Sequence, residues 1–125
     1  MTSELYERGR AIRGEVIGKE WSEAAIADPN AYDFPFQELA LRYCWGEIWD
    51  RPGIDRKTRS IINLAMLSAM GRSGELAGHV RGALTNGVTE DEIREIFLQV
   101  CIYAGVPAAG EAFKVAKEVI ASQKK

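Results

Sequence analysis

Between Asp55 and Gly71 the chain reads DRKTRSIINLAMLSAMG, and this stretch limits the fold more than any other. An acid able to cap a first turn is followed by a run free of proline and glycine, then by a glycine suited to a left-handed stop. From Ile61 to Met70 the run is apolar nearly all round. A helix of that kind has to be buried on several sides, by its own domain or by another subunit. Oligomerisation is therefore expected.

The same helical spacing recurs through the chain and no alternating strand pattern persists, which predicts an all-α, single-domain bundle of about six helices. The punctuation agrees with it. Ser3 can cap a first amphipathic helix ending near Gly18, and Ser22 a short second one ending before Asp28-Pro29. Asp33 can cap a third, with Pro35 tolerated in its first turn, running to about Trp49 before Arg51-Pro52-Gly53 breaks it. After the Asp55 helix, Ser73 begins a fifth that ends at Asn86-Gly87. Thr89 and Glu92 make a capping box for a sixth, stopped by Gly105, and Pro107 starts the last. The first 30 residues are shorter in helix and richer in charge, and look peripheral to the compact remainder.

At 125 residues the chain is the size of one domain. Hydrophobic residues at 46% and charged residues at 27% are the balance of a globular chain, and no apolar run is long enough for a membrane helix. The N-terminal MTSELYERGR is charged where a signal peptide needs an apolar core, so cytoplasm is the expected compartment. A net charge of −2, with no basic block beyond Lys124-Lys125, argues against nucleic acid as a partner. Cys44 and Cys101 fit no C-x-x-C or zinc spacing and are expected to be inert buried thiols; one histidine is too few for a His-rich metal site. Catalysis without metal is the expectation.

Function is best sought where a polar group falls on a face that packing should have made apolar. At about 100° per residue, Glu38 and Arg42 define a solvated stripe on the third helix. Glu47 falls on the opposite side, in line with Phe36, Ala40 and Tyr43 and flanked by Trp45 and Trp49. It is either an acid or base or a structural carboxylate paired with a cation such as Arg51. On the fourth helix the stripe Arg59, Asn63, Met66, Met70 runs from a cation into the expected core, so Arg59 either clamps a carboxylate by two parallel hydrogen bonds or pairs with a neighbouring acid. His79 lies beside the apolar stripe Leu76, Val80, Ala83, Leu84, with Glu75 one turn earlier. A carboxylate so placed can orient the imidazole and favour its protonated form, as a proton donor requires, while a satisfied structural histidine is the plainer alternative. Tyr103, in IYAGVP, reads as core or interface.

The segments WGEIWDRPGIDRKTRS, GELAGHVRGALTNGVT and IYAGVP, with DFPFQEL before them, resemble the carboxymuconolactone decarboxylase family over nearly the whole chain. The wider superfamily includes alkylhydroperoxidase D-like proteins, whose redox site is a C-x-x-C with a histidine four residues later. Arg72 and Glu75 stand where those cysteines would be, so peroxide chemistry through a disulfide is not expected. The resemblance implies a single family domain over residues 1–125, an all-α fold assembled as a ring-like homohexamer, and cofactor-independent removal of CO2 from 4-carboxymuconolactone to give 3-oxoadipate enol-lactone in the protocatechuate branch of the β-ketoadipate pathway.

The chemistry implied is self-contained. Loss of CO2 leaves electron density conjugated with the lactone carbonyl, so the substrate is its own electron sink. The protein must hold a dicarboxylate, desolvate the leaving carboxylate, stabilise the enolate oxygen and deliver a proton. On this resemblance His79 is the proton donor or enolate partner, Glu75 or Glu47 the carboxylate that orients or relays, Arg51 and Arg59 the carboxylate clamps, and Trp45 an apolar wall. No cofactor is implied. The competing readings are a hydroperoxidase-like redox protein and a non-catalytic oligomeric binder of small anionic lactones.

Overall fold

The computed structural model describes residues 3–124, whose regular elements are all helical, with no strand among them. No helix among the described residues is long and apolar enough to cross a membrane. The described residues form seven α-helices and one π-helix, against about six expected, and they cluster into two compact units that meet in sequence at Ile54 and Asp55.

The first unit contains α1 (Glu4–Ile17), α2 (Lys19–Ala24), α3 (Phe34–Leu39) and a π-helix (Ala40–Ile48) that continues α3. Ser3 caps α1 as expected, its hydroxyl accepting from Tyr6 N at 3.0 Å, and Gly18 ends it at a φ of 112°. The core is Tyr6, Ile12, Val16, Leu41, Trp45 and Trp49, so residues 3–30, expected to be peripheral, supply half of a packed core. Two glycines let α1 and the π-helix touch backbone to backbone: a Cβ on Gly9 would collide with Leu41 O, and one on Gly46 with Leu5 O. Arg13, buried, donates to Ser22 Oγ (2.7 Å), Ser22 O (2.9 Å) and Gln37 Oε1 (2.8 Å), tying α2 and α3 to α1. Ser22 is thus an interior, buried acceptor inside α2 and not its cap, because Gly18 already starts that helix.

The second unit holds α4 (Arg56–Met70), α5 (Ser73–Thr85), α6 (Glu90–Ala104) and α7 (Val106–Gln123). The expected signals act where they stand. Asp55 Oδ1 accepts from Thr58 N at 2.8 Å, Gly71 is left-handed at a φ of 73°, and the Thr89 and Glu92 capping box forms in both directions. Leu64, Leu76, Val80, Ile93, Phe97, Ala112 and Ala116 are central to the core, with Phe97 edge-on to Phe113. Helix α4 departs from the expectation within the single chain: Ile62, Met66 and Met70, spaced four apart, are 41%, 49% and 61% exposed.

Candidate active site

The hairpin of α4 and α5 builds the surroundings of the histidine. Gly71 and Arg72 reverse the chain, and two side-chain contacts fix the antiparallel register. Asn86 Nδ2 donates to Ser60 Oγ at 2.9 Å near the open end, and Asn63 Nδ2 lies 3.5 Å from His79 Nδ1 one turn further in. Leu76, Val80 and Ala83 anchor α5 in the core, which leaves His79 half-buried beside α4. Burial pushes the imidazole pKa below the usual histidine range, and the Glu75 carboxylate pulls it up less strongly. Glu75 thus acts in the expected direction, favouring the protonated ring, but burial outweighs it. Glu75 is exposed, so water screens its charge, while the ring is sheltered.

Arg59 stands one turn before Asn63 on the same side of α4 and is half-buried, with its Nε shielded from solvent. The stripe expected to lead from it into the core ends instead at the surface, because Met66 and Met70 are exposed and Leu64 faces inward. An apolar groove of about 520 Å³ between α4 and α6, lined by Ile61, Ala65, Ala69, Ile96, Val100 and Tyr103, lies elsewhere. Its α4 residues lie about 120–160° round the helix from Asn63, and His79 is not among the residues that line it. Tyr103, expected in core or interface, is 85% exposed in this chain and lies outside the core.

In the first unit, Glu47 is exposed, as are Phe36 and Tyr43, so the side expected to be apolar and buried is the solvent side. The buried side is Leu41, Trp45 and Trp49. Apolar residues occur on both sides of this rod, and from Ala40 the hydrogen bonds run i to i+5, so that a count at α-helical pitch loses phase. Trp45 is a core residue, stacked on Trp49 with centroids 4.7 Å apart and 17° between planes. Arg51 follows the π-helix on the exposed turn before Asp55. The thiols also differ from expectation: Cys44 is exposed as a residue although desolvation raises its thiol pKa, and Cys101 is half-buried. Arg72 is the N-cap residue of α5 and Glu75 lies in its first turn.

The histidine hairpin falls inside a recognised family. The model described as the carboxymuconolactone decarboxylase family matches residues 35–118, from α3 into α7. The chain belongs to that family. It is 41% identical over 114 residues to the 4-carboxymuconolactone decarboxylase of Acinetobacter baylyi, covering 91% of this chain and 85% of that protein. It is 40% identical over 116 residues to the nitrosuccinic acid decarboxylase of Metarhizium robertsii, covering 93% and 81%. A weaker relative, an uncharacterised 15.0 kDa protein of Paracoccus denitrificans, is 33% identical over 85 residues, covering 66% and 63%. The side chain of α4 that meets His79 is Asn63, seen in the sequence only as one member of a stripe; its signal was the i, i+4 spacing from Arg59.

Proposed function

We propose that the chain decarboxylates 4-carboxymuconolactone to 3-oxoadipate enol-lactone and CO2, without metal or added cofactor. The observation that carries the reading is the 41% identity to the Acinetobacter decarboxylase across 91% of the chain, with a half-buried histidine on the family's helical hairpin. In this reading His79 serves the developing enolate and its protonation, Glu75 tunes and orients His79, and Arg59 grips a substrate carboxylate from one turn away. Glu47 and Arg51 are proposed to contribute a relaying carboxylate and a second clamp. Trp45 contributes through the packing that holds their segment.

A neutral imidazole suits the first of these tasks. As CO2 departs, negative charge moves onto the lactone carbonyl oxygen, and an N–H donor already in place stabilises that charge with no reorganisation. The carbon next to the carbonyl is then protonated from water that the ring orients, the hydroxide left behind being neutralised by solvent, or by the protonated carboxyl of Glu47, which regains its proton from solvent.

The chain is further proposed to act as one decarboxylase domain, in the cytoplasm, as a ring-like homohexamer. The exposed stripe Ile62, Met66, Met70 on α4 supports the assembly, as do Ile102 and Tyr103 on α6, since large apolar surfaces of this kind are seldom left in water.

Nitrosuccinic acid is the second substrate reading, favoured by 40% identity over 93% of the chain. It also carries two carboxyl groups, and the nitro group can take up the electron pair left by departing CO2, so the same residues would serve. The deciding experiment is kcat/KM for both acids with the purified, chelator-dialysed protein. A clear preference for the lactone supports the first reading, and a preference for the nitro acid replaces it with the second.

A further inference from the structure

We propose that the outer wall of the His79 site is supplied by a second copy of this chain, seated two-fold on α4, with the Ile62, Met66, Met70 ridge of each copy in the groove beside the ridge of the other. The argument starts from spacing on α4. Ile62, Met66 and Met70 stand four apart and are 41%, 49% and 61% exposed. Beside them, also four apart, Ile61, Ala65 and Ala69 form one wall of the groove of about 520 Å³ whose other wall is Ile96, Val100 and Tyr103 of α6. One helix thus carries a row of large apolar side chains next to a row with two alanines in it. Rows at this spacing are the ridges and grooves by which helices most often pack. A two-fold axis sets each ridge in the facing groove, so every contact is made twice, and three such pairs can close an assembly of six.

The face is large enough for this. Ile102 and Tyr103, 81% and 85% exposed, extend it on α6, and the groove is lined by no charged side chain among the described residues. At roughly 200 Å² for a large side chain, the ridge and these two residues expose on the order of 600 Å² before the groove floor is added. A stable pair buries about 800 Å² on each partner. The ridge also borders the site. Ile62 and Met66 are the i+3 neighbours of Arg59 and Asn63, and Asn63 lies 3.5 Å from His79. A copy seated on Ile62 and Met66 therefore stands over Arg59 and Asn63. Trp45, expected as the apolar wall beside the departing carboxylate, is held in the core of the first unit against Trp49. The methionines of the paired copies take that place and exclude water from the carboxylate that leaves. This use of the interface rests on the decarboxylase reading above; the seating does not.

Mixed oligomers test the seating without substrate. Isotopically unlabelled Cys44→Ser/Cys101→Ser/Met66→Cys protein, carrying a nitroxide at position 66, is exchanged into 15N-labelled wild type, whose single histidine gives the only imidazole signals. The His79 ring signals should broaden, and recover when the nitroxide is reduced. The same label on Met70→Cys gives an independent reading. Ala65→Trp fills the groove and leaves the ridge intact. It should lower the assembled mass, abolish the broadening when it is the 15N-labelled partner, and reduce kcat/KM on 4-carboxymuconolactone by at least about tenfold. A wild-type chain that stays monomeric, His79 signals unbroadened in mixed oligomers, or an Ala65→Trp chain of lower mass with wild-type kcat/KM overturns the inference. If Ala65→Trp does not fold, the mixed-oligomer spectra decide alone. A chain inactive on the lactone whose His79 signals broaden defeats the decarboxylase reading and leaves the seating standing.

Discussion

Glu75 and His79 are one turn apart on α5, the carboxylate in water and the imidazole half out of it, and the ring responds more to its shelter than to its neighbour's charge. A histidine whose pKa is lower folded than unfolded binds fewer protons in the native state over the interval between the two values. Its contribution is therefore fully present above the unfolded value, about 6.5, and is lost as pH falls through that value toward the folded one. Wild-type stability should accordingly drop on acidification below about pH 7, by more than that of His79→Gln. Glu75→Gln should lower the His79 titration midpoint further. Urea unfolding across this range checks the first point and 15N NMR the second; a His79→Gln profile parallel to wild type would show that the ring is not shifted.

Arginine at position 59 should matter through its fork. An ammonium cannot reproduce two parallel hydrogen bonds to a carboxylate, so Arg59→Lys should raise KM for the lactone by about tenfold or more while kcat changes little. Steady-state kinetics measures both. A fall confined to kcat would move Arg59 from gripping the substrate to acting on the transition state.

The crossing of α1 and the π-helix should tolerate no side chain. Gly46→Ala drives a methyl into Leu5 O, and overpacking of this sort costs about 1–3 kcal/mol or more. Gly110→Ala, on α7 with open space around it, should instead stabilise by about 0.4–1 kcal/mol. Chemical denaturation of the two variants beside wild type should show opposite shifts in midpoint.

Light scattering should find a closed homo-oligomer of six subunits. Met66→Lys, which places a charge in the exposed apolar stripe of α4, should reduce the assembled mass. A wild-type chain that remains monomeric at micromolar concentration would contradict the assembly.

Much of this was legible in the sequence because local chemistry decides it. Asp55, Gly71, Thr89 with Glu92, and Gly105 each satisfy or end a helix within a few residues, so their roles do not depend on the rest of the fold. Ser22 was misread for the opposite reason: its partner, Arg13, is nine positions away and on another helix. The Glu47 face was illegible because Phe36, Leu39, Tyr43 and Ile48 are apolar yet exposed, and nothing local announces a π-helix. His79 and Arg59 were found as polar groups beside apolar stripes. The pairing of His79 with Asn63 is a product of hairpin register and could not be read from either helix alone.

The most direct test of the account is CO2 release from freshly prepared 4-carboxymuconolactone by wild type and His79→Gln, both dialysed exhaustively against chelator. The account predicts one CO2 and one enol-lactone per substrate consumed by the wild type, with kcat reduced roughly 10²–10⁴-fold in His79→Gln. Failure of the wild type to release CO2, activity that returns only with a particular metal, or near-full kcat in His79→Gln would contradict it.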